Sequence, residues 1–206
     1  DTHVLCTASM EEKVPFFLRN SGKGWVTAEY GMLPRSTHSR SNRESSRGKQ
    51  GGRTLEIQRL IGRSLRSIID LKILGERQII IDCDVIQADG GTRTASITGG
   101  WIALSYAVNK LIHTNKIKSN PIINQICAIS CGVWNGFSVL DLDYSEDSSA
   151  EIDSNFVLTS DKKLVEVQIS SESDPFEKST MDKLLNLAFE GAEKIFEQQL
   201  KAVNDT

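Results

Sequence analysis

Two short stretches of the sequence begin alike and contain the residue types that bind anions. They are Gly51-Gly52-Arg53-Thr54 and Gly90-Gly91-Thr92-Arg93-Thr94, and each precedes a segment with helical spacing. The first turn of a helix presents unpaired N–H groups and a partial positive charge, glycines let an anion approach the backbone, and arginine adds a bidentate contact. Each stretch alone also fits an ordinary capped helix, and neither has the Gly-Lys-Ser/Thr of a P-loop.

A cluster of acidic residues is the second candidate for chemistry. Asp147 and Asp153 come just after a predicted strand over residues 137–144. Their oxygen ligands would suit Mg²⁺ or Mn²⁺, which use one or two carboxylates together with water and phosphate oxygens. An exposed acidic turn is the alternative. Six acidic residues and no basic residue lie in this segment: Asp141, Asp143, Glu146, Asp147, Glu151 and Asp153.

The charge is distributed unevenly, although the whole chain carries only −3. Residues 31–66 contain nine basic residues against Glu44 and Glu56, which gives this segment +7 and leaves −10 for the rest. A basic segment together with an acidic cluster suits a site that handles a polyanion and a metal ion, and a solvated surface is the alternative. The basic residues are Arg35, Arg40, Arg43, Arg47, Lys49, Arg53, Arg59, Arg63 and Arg66.

The histidine, tryptophan and cysteine residues give weaker indications of function than the two glycine-rich stretches and the acidic cluster. His3, His38 and His113 are isolated and lack metal-ligand spacing, and we expect Trp25, Trp101 and Trp134 in the core. Cys6, Cys83, Cys127 and Cys131 form no CxxC pair and stand in apolar surroundings, so we expect buried free thiols in a reducing compartment rather than a zinc site or a disulfide. No apolar run is long enough to span a membrane. We therefore expect a cytoplasmic protein.

The elements that would position these residues alternate between strands and helices. We predict strands at residues 4–6, 14–18 and 25–27, a turn at 20–24, and a polar loop over 31–52. A helix over 55–74 should stop at Gly75, and a strand over 78–86 should follow with Asp82 and Asp84 on one face. A second helix should run over 94–114, with Asn120-Pro121 as its stop signal.

The second half predicts two hairpins and a helix. Residues 122–134 and 137–144 should turn at Asn135-Gly136, and residues 156–159 and 164–170 should turn at Asp161-Lys162. An amphipathic helix should cover 180–203. Strands mixed with helices and hairpins favour an α+β fold with a mixed sheet, and we predict a single domain over residues 1–206.

Several of these stretches together resemble the bacterial ribonuclease PH family, a relative of polynucleotide phosphorylase and of exosome ring subunits. They are GWVTAEYGMLPR at 24–35, KQGGRT through QRLIGR at 49–63, DCDV through TASITG at 82–99, and residues 141–147. The resemblance runs essentially from end to end. Because the chain opens without Met and inside a predicted strand, we expect that N-terminal strands typical of the family precede Asp1.

The resemblance implies a fold, an activity and roles for particular residues. The fold should be that of the family, similar to domain 2 of ribosomal protein S5, and the assembly a hexameric ring built as a trimer of dimers. The activity should be trimming of tRNA precursor 3′ ends by inorganic phosphate, with release of nucleoside diphosphates and Mg²⁺ or Mn²⁺ as cofactor. The resemblance implies that phosphate is bound by Arg53, Gly91, Thr92 and Arg93, and that the metal is bound by Asp147 and Asp153. It also implies that RNA or a neighbouring subunit is contacted by Arg35, Arg40 and Arg43.

Two other functions stay open on sequence. A non-catalytic ring subunit of an exosome-like assembly would keep the fold but lack the phosphate or metal residues, whereas this chain has them all. An RNA-binding module of the S5 type would not need Gly90-Gly91-Thr92-Arg93 together with Asp147. The role of Asp147, as a metal ligand or as a general acid on the leaving 3′ oxygen, also stays open.

Overall fold

The computed structural model describes residues 1–204 and contains two β-sheets. The first sheet comprises β1 (His3–Glu11), β2 (Trp25–Met32) and β3 (Gln78–Gln87), in the order β1-β3-β2. The central strand β3 runs antiparallel to β1 and parallel to β2, so this sheet is mixed, as predicted. Alternate residues of β3, from Ile79 to Val85, are buried because one face of the sheet meets two helices.

Those helices are α1 (Gly52–Arg66) and α3 (Thr92–His113), and between them lies the short α2 (Leu71–Leu74). Ile57, Ile61 and Leu65 of α1 recur at helical spacing and are fully buried. The long α3 packs against the first sheet on one side and against the second sheet on the other. Its first turn therefore lies where the two sheets meet.

The second sheet comprises β4 (Ile126–Trp134), β5 (Phe137–Leu140), β6 (Ile152–Thr159) and β7 (Leu164–Ser171), all antiparallel, in the order β5-β4-β6-β7. The short α4 (Tyr144–Asp147) connects β5 to β6, and α5 (Lys178–Asn204) covers one face. The central strands β4 and β6 are buried on both faces. Ile126 and Ala128 join the core around α3, while Cys127 and Ile129 join a second core beneath α5.

Two sequence predictions about elements were wrong. Residues 14–18 are not a strand, because Pro15 leads into a 3₁₀ turn over Phe16–Leu18, with a hydrogen bond of 2.9 Å from the Leu18 N–H to the Pro15 carbonyl. The helix expected over 55–74 is two helices, since the Asp70 carboxylate accepts hydrogen bonds from the N–H groups of Lys72 and Ile73 and starts α2.

The second helix, predicted over 94–114, spans Thr92–His113 and is confirmed. Its end is set not by Asn120-Pro121 but by Asn115, which adopts a left-handed conformation with φ of 55°. The Pro121 carbonyl instead accepts a hydrogen bond of 2.7 Å from the Asp70 N–H. Both hairpins are confirmed, and Asn135 and Gly136 have the positive φ values, 50° and 77°, of a type I′ turn. Within residues 1–204, no helix combines the length and the apolar character needed to cross a membrane.

Candidate active site

A cavity of about 450 Å³ lies at the first turn of α3, between the two sheets. All six residues predicted for phosphate or metal line it: Arg53, Gly91, Thr92, Arg93, Asp147 and Asp153. They come from four parts of the chain, namely the start of α1, the start of α3, the end of α4 and the strand β6. The structure therefore brings together positions that are separated by up to 100 residues in the sequence.

The backbone at Gly90-Gly91 favours residues without a side chain, and at residue 90 it leaves no room for one. Both have positive φ, 73° and 55°, and a Cβ at residue 90 would come within 2.4 Å of the Leu142 carbonyl oxygen. The Thr94 hydroxyl donates a hydrogen bond of 2.7 Å to the Gly91 carbonyl and closes the turn. The first turn of α3 lines the cavity at Gly91, Thr92 and Arg93, and the N–H groups of a first helical turn have no partner within the helix, so they can bind an anion.

Thr92 is held from both sides. Its hydroxyl lies 2.9 Å from the Tyr30 hydroxyl, and its carbonyl accepts a hydrogen bond of 2.7 Å from the Ser96 hydroxyl. Burial raises the pKa of Tyr30, so the phenol stays protonated and can donate to Thr92. Thr92 is thereby fixed in one orientation before any ligand arrives.

The two arginines of the site differ in their surroundings. The Arg93 side chain is only 17% exposed, it donates a hydrogen bond of 2.7 Å from Nη1 to Gln168 Oε1, and it lies 3.8 Å from Glu56 Oε1. Arg53 is exposed at the first turn of α1. A charge–charge contact is stronger where water is excluded, so we expect Arg93 to interact with a bound anion more strongly than Arg53.

The acidic side of the cavity contains a buried carboxylate oxygen, Asp153 Oδ1, without a hydrogen-bond partner among the described residues. The Ser130 hydroxyl on the neighbouring strand is also buried and also lacks a partner among them. Burial, and next to it the negative charge of Asp147, raise the pKa of Asp153. Buried polar atoms without partners cost free energy in the empty protein, so this side of the cavity is suited to a positively charged or hydrogen-bonding ligand.

The two carboxylates are the type of ligand that divalent ions use. Within residues 1–204, no group of three or more His, Cys, Asp or Glu residues forms a complete protein cage for a metal. A Mg²⁺ or Mn²⁺ site needs no such cage, because these ions keep water and phosphate oxygens alongside one or two carboxylates. The buried, unpartnered Oδ1 of Asp153 beside Asp147 is consistent with that kind of site.

The three arginines predicted for RNA do not line the cavity. They belong to the segment 33–51, in which Arg35 donates to the His38 carbonyl at 3.0 Å and Arg40 donates to Asn42 Oδ1 at 3.3 Å. The middle of this segment, Thr37–Ser39, does line the cavity. Arg35, Arg40 and Arg43 therefore lie near the mouth of the site rather than inside it.

Several lining residues were not predicted from the sequence. His38, dismissed as isolated, lines the cavity with its ring 5.7 Å from that of Tyr144. Ser130 and Asn155 line it because they lie opposite each other on β4 and β6. The alternation of side chains along a strand could have indicated Asn155, since it lies on the same face of β6 as Asp153. The strand register that brings Ser130 opposite Asn155 has no local signal in the sequence.

Comparisons with known proteins agree on one family. The sequence models of the 3′ exoribonuclease family match residues 1–108 as its domain 1 and residues 124–191 as its domain 2. Ribonuclease PH of Roseobacter denitrificans is 58% identical over 202 residues, which cover 98% of this chain and 85% of that protein. Ribonuclease PH of Cereibacter sphaeroides is 59% identical over 203 residues, 98% of this chain and 86% of that protein.

Two solved structures share the fold at low sequence identity. Rice (Oryza sativa) Rrp46 superimposes with a TM-score of 0.75 at 18% identity, over 98% of this chain and 84% of that one. A chain of the Archaeoglobus fulgidus exosome, solved with RNA bound to the active site, superimposes with a TM-score of 0.77 at 18% identity, over 96% of this chain and 79% of that one.

Proposed function

The chain belongs to the ribonuclease PH family and is a phosphorolytic 3′→5′ exoribonuclease that acts on tRNA, and we propose that the cavity at the start of α3 is its active site. Inorganic phosphate is the co-substrate of this reaction. The observation that carries the proposal is the convergence of Arg93, Thr92 and the Gly90-Gly91 turn with Asp153, whose buried Oδ1 lacks a partner. One side of this cavity suits an anion and the other suits a cation.

Phosphate binds at the start of α3. The N–H groups of the first turn, the Thr92 hydroxyl and the Arg93 guanidinium would hold its oxygens, and Arg53 would approach from the start of α1. Because Tyr30 already orients Thr92 and Gln168 already orients Arg93, little reorganisation is needed when phosphate binds. The bound phosphate then has one oxygen free to point at the RNA 3′ end.

The reaction exchanges one bond to phosphorus for another. A phosphate oxygen attacks the terminal phosphodiester in line, the bond to the 3′ oxygen of the penultimate nucleotide breaks, and that oxygen leaves with a proton. The products are a nucleoside 5′-diphosphate and an RNA shorter by one nucleotide. Catalysis of such a transfer is mostly positioning and electrostatic stabilisation. The bonds exchanged are similar in energy, so we expect the reaction to run backward when nucleoside diphosphates are abundant.

Asp147 and Asp153 would hold Mg²⁺ or Mn²⁺ in this site. When bound, the ion would supply positive charge to the phosphate oxygens. Asp153 would contribute its buried oxygen, and Asp147, which is exposed at the end of α4, would contribute a second carboxylate oxygen. A second role for Asp147, donation of a proton to the leaving 3′ oxygen, is compatible with the same position.

The arginine-rich segment 33–51 would hold the RNA outside the cavity. Arg35, Arg40 and Arg43 would contact the RNA backbone or a neighbouring subunit, while Thr37–Ser39 reach the cavity itself. We propose a hexameric ring, a trimer of dimers, in which grouped subunits hold the tRNA body while its end is trimmed. Light scattering at the assay concentration tests the ring, and a monomer with full activity on structured tRNA would refute it.

One digestion tests the proposed function. A short RNA is incubated with and without inorganic phosphate, and the released nucleotides are identified by chromatography. We expect nucleoside 5′-diphosphates and only when phosphate is present. Monophosphates in phosphate-free buffer would indicate hydrolysis, and RNA binding without any release would indicate a non-catalytic ring subunit or an RNA-binding module.

A further inference from the structure

Two cysteines lie directly opposite each other on neighbouring strands beneath the start of α3. Cys6 on β1 is in register with Cys83 on β3, and their sulfurs are 3.8 Å apart. Opposed residues in an antiparallel pair have Cα atoms about 4.5 or 5.5 Å apart, and both values lie within the range that a disulfide spans. From this geometry we infer that Cys6 and Cys83 form a cross-strand disulfide when the protein reacts with a peroxide, and that this disulfide weakens phosphate binding.

The position of Cys6 makes it the reacting partner. It lies on β1, an edge strand of the first sheet, and it is partly exposed, whereas Cys83 is buried. The contact with the Cys83 thiol lowers the pKa of Cys6, and its partial exposure lets a peroxide reach the Cys6 sulfur. The close packing of Cys6 on α3 depends on Gly99, because a Cβ there would come within 2.8 Å of the Cys6 sulfur.

The other two cysteines offer no alternative pairing. Cys127 and Cys131 are four residues apart on β4, which separates them by roughly 13 Å along the strand. Both face the second core beneath α5, on the far side of β4 from α3. Burial raises the pKa of each to about 12, so both stay protonated and unreactive at neutral pH. They serve as internal controls.

The oxidation balances with one equivalent of hydrogen peroxide. The Cys6 thiolate attacks one peroxide oxygen, the O–O bond breaks, and the departing hydroxide takes up a proton to give water and a Cys6 sulfenic acid. The Cys83 sulfur then attacks the Cys6 sulfur, and the sulfenic hydroxyl leaves with the Cys83 proton as a second water. Both sulfurs are oxidised, the peroxide is reduced, and the protein loses two hydrogen atoms.

The sulfurs are connected to the phosphate side of the cavity by two short paths. Cys83 Sγ lies 3.7 Å from the Ser96 carbonyl, and the Ser96 hydroxyl donates to the Thr92 carbonyl at 2.7 Å. Across the sheet, Cys83 is in register with Tyr30, whose hydroxyl lies 2.9 Å from that of Thr92. Disulfide formation removes the thiol hydrogens that face Ser96 and draws the sulfurs together. We therefore expect Thr92 to lose its fixed orientation.

The expected effect of the disulfide on phosphate binding rests on the proposed function, but the formation of the disulfide does not. We expect the oxidised protein to show a KM for phosphate raised roughly fivefold or more, a typical size for coupling between two sites, with a smaller change in kcat and in the KM for RNA. Dithiothreitol should restore the original KM. The separation of KM from kcat distinguishes a change at Thr92 from general damage to the protein.

Mass spectrometry and kinetics test the two parts separately. The reduced protein is treated with hydrogen peroxide, its remaining thiols are alkylated, and its peptides are analysed. We expect a linked pair of peptides containing Cys6 and Cys83, while Cys127 and Cys131 stay alkylatable after unfolding. The variant Cys6→Ser should form no such link and should keep its KM for phosphate after the same treatment.

Absence of the linked peptides in the wild-type protein would overturn the inference. Formation of the link without a change in the KM for phosphate would refute the coupling to Thr92. Phosphorolysis by the reduced wild-type protein is measured in the same series, so a failure of the proposed function would appear there and not in the peptide analysis.

Discussion

The two Gly-Gly helix starts have nearly the same sequence but different structures. At Gly90-Gly91 both residues have positive φ, and the backbone of Leu142 and Asp143 leaves no room for a side chain at residue 90. At Gly51-Gly52 the backbone is ordinary, with φ of −73° at Gly51, and a Cβ at residue 52 would meet nothing within 4 Å. The arginines that follow differ in the same way, since Arg93 is partly buried and Arg53 is exposed.

This difference indicates which start is built for a ligand. The start of α3 combines a tight turn, a pre-oriented threonine and an arginine shielded from water. At the start of α1 the arginine is exposed, and the Gly51 N–H and the Thr54 hydroxyl donate hydrogen bonds of 3.0 and 2.8 Å to Glu44 Oε1, a carboxylate of the chain itself. A motif of glycine, arginine and threonine can thus be the main anion site in one place and an auxiliary contact in another.

The largest expected effect comes from exchanging the two arginines for alanine. We expect Arg93→Ala to lower kcat/KM for phosphate by about 10²–10³-fold, because it removes a shielded charge at the reacting group. Arg53→Ala should lower it by less than about tenfold, because an exposed charge is screened by water. Steady-state kinetics with phosphate varied and RNA saturating give both values. Equal losses in the two variants would contradict the distinction between the helix starts.

The matched glycine variants test the backbone difference. Gly90→Ala forces a side chain into a left-handed conformation and against the Leu142 carbonyl, so we expect destabilisation of about 1–3 kcal/mol or more, with loss of activity. Gly52→Ala should be neutral or stabilising by up to about 1 kcal/mol, because it restricts only the unfolded chain. Urea unfolding measures both. A Gly52→Ala variant that is as unstable as Gly90→Ala would show that the two starts are equally constrained.

Asp153 provides a test on the acidic side of the cavity. Its raised pKa means that the folded protein favours the protonated carboxyl, so this group stabilises the fold fully below its ordinary pKa of 3.8 and loses that contribution as pH rises through the raised value. Asp153→Asn should therefore raise the melting temperature at pH 7 more than at pH 4, while phosphorolysis falls by about 100-fold or more. A variant less stable than the wild type at pH 7 would show that Asp153 is compensated by contacts in the folded protein.

The smallest expected effect concerns the arginine-rich segment. Arg40→Ala and Arg43→Ala should each weaken RNA binding and reduce the salt dependence of that binding by roughly one unit of slope, because each removes one contact to the RNA backbone. The KM for phosphate should not change, since neither residue lines the cavity. Fluorescence anisotropy over a series of salt concentrations measures the slope. An unchanged slope would place the RNA elsewhere.

Sequence reasoning found the elements with strong local signals. Asn135-Gly136 fixed a hairpin, Gly75 ended a helical segment, and alternation defined β3. It failed where tertiary contacts determine the end of a helix. At Asp70 the helical spacing of apolar residues continues, but Ile69 and Asp70 pair with Ile122 and Pro121, and this pairing interrupts the helix. The division into two sheets also depends on strand pairing, which has no local signal.

The site was predictable in part for similar reasons. The glycine, threonine, arginine and aspartate residues at the six predicted positions indicate anion and metal binding by their chemical type, and all six line one cavity. Tyr30 and Gln168 support that chemistry through hydrogen bonds to Thr92 and Arg93, and Ser130 lines the cavity because β4 pairs with β6. Such contacts follow only from the fold. The arginines of the segment 33–51 indicate binding of a polyanion, but their spacing in the sequence does not predict that they lie outside the cavity.

Equilibrium binding of inorganic phosphate, measured by isothermal titration calorimetry without RNA, tests the central claim most directly. We expect the wild-type protein to bind one phosphate per chain, Arg93→Ala to lose this binding, and Arg40→Ala to keep it with unchanged affinity. Phosphate that binds Arg93→Ala as tightly as the wild type would contradict the assignment of the anion site to the start of α3.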